Sequence, residues 1–222
     1  MSTKLPLFPL GTVLFPGQVM PLHIFEDRYR ELVADLLAEP EPRQFGIIAI
    51  RHGRETGVDG VRALYRTGCT ASLRQVERYE DGRYDLIAVG NERFDLLDVG
   101  EAAPYLQGDV GMLPEDVGGE AAAAAVVPAV QEAFRTYLDL ISERGSVRVT
   151  LPELPDEPML MSYLVAAAVV VDLPVKQSLL EEPDALRRLT AERGLLAREC
   201  QMLRSLTATP APDLRNMPYS PN

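Results

Sequence analysis

The sequence predicts an α+β protein, a small closed or partly closed β barrel carrying one inserted helix and followed by an α-helical bundle. Three observations carry that expectation. Short apolar runs broken by proline or glycine fill the first half, apolar positions in the second half recur at helical spacing, and the patterns meet at Pro114 to Gly119, rich in Pro, acid and Gly. The expected division is 1–117 for the barrel, 118–206 for the bundle and 207–222 for a disordered tail.

The chain opens with Leu5-Pro-Leu-Phe-Pro-Leu10, Val13-Leu-Phe-Pro-Gly17 and Met20-Pro-Leu22. Proline has no N–H for a sheet interior, so each run reads as a brief strand or an edge strand. Pro6, Pro9, Pro16 and Pro21 also interrupt any stretch that could serve as a secretory leader, so the mature chain is expected to begin at its own start. Phe25, Tyr29, Leu32, Val33, Leu36 and Leu37 then fall on one face of a helix that Pro40 and Pro42 end. Phe45-Gly-Ile-Ile-Ala-Ile50 is a strand apolar on both faces, and Arg51 to Gly60 reads as an exposed loop holding His52, with no cluster fit for a metal.

Cys69 to Tyr79 and Tyr84 to Val89 flank Asp81-Gly82, where positive φ angles favour a tight antiparallel hairpin. Gly90-Asn-Glu-Arg-Phe94 reads as a further turn into a strand Phe94 to Val99, and Tyr105 to Leu113 gives the last strand. Four helices follow. The first carries Val127, Val130, Phe134, Tyr137 and Ile141 and starts or kinks at Pro128. Asp156 and Pro158 open Met159 to Val171, Pro174 opens a short helix through Leu180, and Asp184 caps a long one with a stripe of Leu189, Arg193, Leu196, Cys200 and Leu203. Pro210, Pro212, Pro218 and Pro221 break all periodicity in the tail.

At 222 residues, enough to bury roughly 70% of the unfolded surface, the chain can build a real core. Its net charge of −11 would repel polyphosphate, which disfavours nucleic acid and anionic membranes as partners. Cys69 and Cys200 have no paired spacing and read as reduced, buried and cytosolic; a disulfide between them has no support. The longest apolar stretch, Met159 to Val171, falls short of the ~20 residues of a membrane span.

The N-terminal blocks, in their order and spacing, resemble the substrate-recognition domain of the ATP-dependent protease Lon. The resemblance continues through Gly68, Asp81-Gly82-Arg83, Gly90-Asn-Glu-Arg-Phe94, Pro104-Tyr105-Leu106, Leu173-Pro174, Lys176-Gln-Ser-Leu-Leu-Glu181 and Arg188-Leu189, covering Leu5 to Leu206. It implies a PUA-like pseudo-barrel followed by a helical bundle. It also implies a cytoplasmic recognition module for unfolded or exposed apolar polypeptide segments, acting as a holdase or as adaptor for a separate protease. The groove between barrel and bundle is a candidate surface. RNA binding, suggested by the PUA-like fold alone, is the alternative, and the acidic charge opposes it.

Catalysis is not expected. The chain has no Gly-Lys pair and so no glycine-rich phosphate loop with its lysine, and the Lon ATPase and Ser-Lys modules are absent from it. Lys4 sits at a frayed terminus; Lys176 and Ser178, two apart on a helix, read as a solvent-facing pair. His23 lacks a nucleophile or acid nearby in sequence, and Arg93 is expected to pair an acid across the barrel. No cofactor or metal is expected. The candidate substrate-binding residues are Phe15, Met20, Asp27, Arg28, Tyr29 and Glu31, although apolar residues at such spacing are more often core and a charged helix face is usually just solvated.

Overall fold

A computed structural model describes residues 2–53, 55, 61–100, 104–144 and 153–208. Strands β1 (Thr3–Leu10) and β2 (Val19–Ile24) precede helix α1 (Asp27–Ala38), which leads to β3 (Gln44–Gly53), β4 (Val61–Leu64), β5 (Thr67–Arg78), β6 (Tyr84–Gly100) and β7 (Gln107–Met112). Helices α2 (Glu120–Arg144), α3 (Pro158–Ala168), α4 (Leu173–Glu181) and α5 (Ala185–Ala208) follow. The class is the expected α+β, and strands give way to helices between Met112 and Glu120.

The sheet closes on itself. Neighbours along β1-β7-β6-β5-β3 are antiparallel, and parallel pairing of β1 with β3, Leu7 opposite Gly46 through Leu10 opposite Ala49, joins the ends. β4 extends the far end of β3, where Arg51 to Gly53 continue the strand instead of starting a loop; residues 54 and 56–60 of that expected loop lie outside the described residues. β2 lies against the first part of β6, from Val19 opposite Val89 to Ile24 opposite Tyr84.

The expected hairpin joins β5 to β6. Tyr79 N donates to Arg83 O at 2.9 Å and Gly82 N to Tyr79 O at 3.0 Å. Only Gly82, at φ 84°, takes a positive φ there, so the loop is a turn closed by one left-handed glycine and not two such residues in succession. No turn forms at Gly90-Asn-Glu-Arg-Phe94, because β6 runs unbroken through it. Gly90 serves close approach instead: a Cβ there would strike the Phe15 carbonyl oxygen. Beside it the register with β5 shifts, and Thr70 Oγ1 bonds the backbone of Glu92, accepting from N at 3.1 Å and donating to O at 3.2 Å.

α1 seals one end of the barrel with Tyr29, Leu32, Val33 and Leu36, which join Phe8, Leu10, Met20, Ile24 and Phe45 in one apolar cluster. Each such aliphatic side chain contributes about 1.5–3 kcal/mol on burial. Phe25, expected on that packing face, precedes the helix and is 53% exposed. The barrel also reaches into the bundle, where Val13, Phe15 and Ala49 share a core with Val130, Phe134, Met161 and Leu196.

α2 starts at Glu120, before Pro128, which lies inside it. The Glu157 carboxylate caps α3, accepting from Met159 N at 3.0 Å and Leu160 N at 2.6 Å. α3 ends at Ala168, short of Val171, and the cap residue Val169 is already extended. Asp184 caps α5 as expected, its Oδ1 accepting from Arg187 N at 2.7 Å. The buried stripe of α5 carries Glu192 where Arg193 was expected; Arg193 is exposed. Of the expected tail, residues 207 and 208 are the end of α5, and 209–222 lie outside the described residues. Cys69 and Cys200 are both buried and free. Among the described residues no helix is long and apolar enough to cross a membrane.

Candidate functional site

β2 pairs with β6 on one side only, so its other edge is open among the described residues. Gly90 N donates to Gln18 O at 2.9 Å, and from that bond the antiparallel alternation turns the backbone groups of Val19, Pro21 and His23 toward the open edge. At the end of β1, Leu7 donates its N–H away from β3 to Leu106 O at 2.8 Å, which sets Pro9, two residues on, to the same side. Pro9 and Pro21 each remove one N–H from these edges, and along β2 the N–H groups of Val19 and His23 and the carbonyls of Val19, Pro21 and His23 still point outward.

Between the two edges lies a cavity of about 230 Å³. Phe8, Pro9 and Leu10 form one wall, residues Pro21 to Ile24 the other, and Phe25, Glu26, Tyr29 and Glu55 complete it. Tyr29 stacks on Phe8 at 4.2 Å between ring centroids, and the Arg28 guanidinium sits 4.6 Å over the Tyr29 ring. Burial pushes the Tyr29 hydroxyl up to about 12, so it stays protonated at neutral pH. Arg28 pairs with Glu26 at 3.0 Å and donates to the Glu55 carbonyl at 3.0 Å, fixing the rim.

On the outer face of the sheet a second cavity of about 390 Å³ shares Pro21, Leu22 and His23 and adds Gln75, Glu77, Asp85 and Ile87. His23 Nδ1 lies 2.6 Å from Asp85 Oδ1, an acidic partner that sequence distance concealed and β2–β6 pairing supplies. Tyr79 donates its hydroxyl proton to Asp85 Oδ2 at 2.6 Å. That bond, and then the His23 contact, lower the Asp85 pKa and keep the carboxylate ionised.

The six candidates from the sequence separate. Phe15 is fully buried in the bundle-side core, and Met20 is buried beneath the sheet. Tyr29 lines the smaller cavity, although most of it is core. Asp27 is exposed and pairs with Arg30, Arg28 braces the rim, and Glu31 is exposed on α1. The exposed Phe25, just after β2, was missed as a site residue; Pro21, which marks the preceding strand as an edge, was the available signal.

At the junction of barrel and bundle, named above as a candidate surface, buried polar side chains connect the two halves. Arg93, 2% exposed, pairs with Glu115 at 2.9 Å and donates to the carbonyls of Leu180 at 2.9 Å and Glu182 at 2.6 Å. Its acidic partner comes from the segment linking the halves, not from across the barrel. Tyr163 donates to the other Glu115 oxygen at 2.6 Å, and Arg188 lies 4.0 Å over the Tyr163 ring while donating to Leu179 O, Glu182 O and Ser162 Oγ. Lys176 is not solvent-facing: Nζ donates to Ala166 O and Ala167 O at 2.6 Å each, closing the end of α3, and burial pulls its pKa down to about 8. Glu192 and Gln177 are exceptions: both Glu192 carboxylate oxygens and Gln177 Oε1 are buried and unpartnered, and desolvation raises the Glu192 pKa well above the ordinary value. Among the described residues no group of His, Cys, Asp and Glu could hold a metal ion.

Comparison with known families decides the chain's relationship. The substrate-binding domain of the ATP-dependent protease La (LON) matches residues 4–198. The chain belongs to the Lon substrate-binding domain family. Lon protease 2 of Syntrophobacter fumaroxidans is 25% identical over 209 residues, covering 91% of this chain and 25% of that protein. Lon protease 2 of Myxococcus xanthus is 27% identical over 202 residues, 90% of this chain and 24% of that protein. The chain therefore spans about a quarter of the length of the curated relatives it matches. Among solved structures, a Lon N-terminal domain protein from Xanthomonas campestris is 26% identical with a TM-score of 0.58, over 88% of this chain and 98% of that one. The N-terminal domain of Mycobacterium avium complex Lon protease has a TM-score of 0.62 over 90% of this chain and 98% of its own at 18% identity, a likeness of fold alone. The family match spans both the strands and the helices of this chain.

Proposed function

We propose that this protein is a non-catalytic, cytoplasmic recognition module that binds unfolded or exposed apolar polypeptide segments, as a holdase or as adaptor for a separate protease. Residues 1–117 form the recognition subdomain in this reading, and 118–206 form its helical support. The observation that carries it is the cavity beside the open edge of β2, where Phe25 stands 53% exposed in a lining it shares with Phe8, Leu10 and Tyr29. Large apolar side chains gathered in a surface cavity mark a contact site, and an open strand edge offers backbone partners to an extended chain. Family membership supports the same reading.

Light scattering tests it. A chemically unfolded client should aggregate more slowly with the protein at near-stoichiometric ratio and without ATP, and Phe25→Ser should weaken the protection. A filter-binding titration addresses the RNA alternative: no protection together with tight, salt-sensitive RNA binding would reverse the proposal.

A further inference from the structure

The cavities on either side of β2 share Pro21, Leu22 and His23 but differ in chemistry. The smaller opens on core aromatics, whereas the larger has Glu77 and Asp85 on an apolar floor that includes Ile87. Glu77 is exposed and makes no ion pair with another described residue. Asp85 is held ionised by the Tyr79 and His23 contacts. Along β2 itself Met20 and Ile24 point into the core while Val19, Pro21 and His23 face solvent. A chain laid along the open edge would obey the same alternation, sending successive side chains to opposite faces.

We propose that the two cavities form one two-sided site for an extended polypeptide segment, with an aromatic or large aliphatic side chain entering beside Phe8, Phe25 and Tyr29 and an adjacent Arg or Lys reaching across His23 toward Asp85, with Glu77 adding negative charge one strand further in. This rests on the polypeptide-recognition reading and adds a requirement for charge and spacing. Apolar recognition alone would accept any exposed segment. Arg83, whose guanidinium lies 3.4 Å from His23 Nε2, is paired with Asp81, so Asp85 and Glu77 bias this face toward basic and against acidic side chains, and the twofold period of a strand demands that the apolar and basic residues stand an odd number of positions apart. Lys and Arg suit this face because their aliphatic stems can lie on Pro21 and Ile87 while the charged head reaches the carboxylates.

Fluorescence anisotropy with labelled ten-residue Ser/Thr/Ala peptides tests both requirements. A peptide carrying Phe-Arg at adjacent positions should bind the full chain about tenfold more tightly at low salt than its Phe-Glu counterpart, and more tightly than a peptide with Phe and Arg two positions apart. Raised salt, and the double variant Glu77→Gln with Asp85→Asn, should each shrink the Arg-over-Glu preference while Phe binding persists. The peptide series on the unaltered protein keeps the test independent of the variant's folding. Equal affinity for the Arg and Glu peptides, with binding still weakened by Phe25→Ser, would overturn the charge requirement and leave apolar recognition standing. Equal affinity for adjacent and two-apart peptides would overturn the strand register. Absence of binding by every peptide would overturn the recognition reading itself.

Discussion

The junction of the barrel with the bundle and the seam between β1 and β2 handle polar groups in opposite ways. At the junction Arg93 and Arg188 are buried, yet they meet Glu115, Ser162 and a set of backbone carbonyls at the end of α4. At the seam backbone groups of Val19, Pro21 and His23 face an edge without a partner strand, and apolar side chains stand in solvent. A satisfied buried network holds two halves in one geometry, whereas exposed apolar surface with spare acceptors is suited to a guest. The difference separates cement from contact surface.

Removing the cement should have the largest effect. Arg93→Met leaves Glu115 and the Leu180 and Glu182 carbonyls without their donor and should cost about 3–5 kcal/mol, read as a lower urea midpoint. An unchanged midpoint would remove the junction from the comparison. Gly82→Val, at φ 84°, should cost about 1–3 kcal/mol through strain in the hairpin without changing peptide affinity.

Glu192→Gln sharpens the junction side through pH. The raised folded-state pKa means that the native protein keeps a proton the unfolded chain releases, so this group's stabilising contribution is complete below the ordinary value of 4.5 and is lost as pH rises toward the folded value. Glutamine abolishes that loss. Denaturation of both proteins from acid to neutral pH should show the variant gaining on the parent as pH rises, and a constant offset would contradict the assignment. Phe25→Ser should have the smallest effect on stability, within about 0.5 kcal/mol because the ring is exposed, while client protection in light scattering falls. Loss of stability comparable to Gly82→Val would place Phe25 in the core.

Much of this was legible in the chain. Asp81-Gly82 named the hairpin because a glycine with positive φ leaves a local trace, and Asp184 named the start of α5 for a similar reason. Prolines at positions 9 and 21 marked edge strands before any partner was known. What stayed hidden depends on pairing over long separations. Gly90 looks like a turn residue until the Phe15 carbonyl is seen beside it, and His23 has no acid until β6 brings Asp85 across. Lys176 looked solvated because the α3 carbonyls that bind it lie nine and ten residues earlier, on another helix. Phe15, Met20 and Tyr29 show the remaining ambiguity: apolar spacing marks burial and contact surfaces alike, and only the closed barrel separates Phe15 in the core from Phe25 on the surface.

Photo-cross-linking locates the guest most directly. A Phe-Arg peptide with a benzoyl-phenylalanine in place of Phe, irradiated with the full chain and mapped by mass spectrometry, should label Phe8 to Leu10 and Pro21 to Tyr29, the two walls of the seam. The bundle also exposes apolar side chains, with Leu160 at 59%, Val170 at 76% and Met202 at 52%. Labelling concentrated on those residues, with the seam left unmarked, would contradict the assignment of recognition to the barrel.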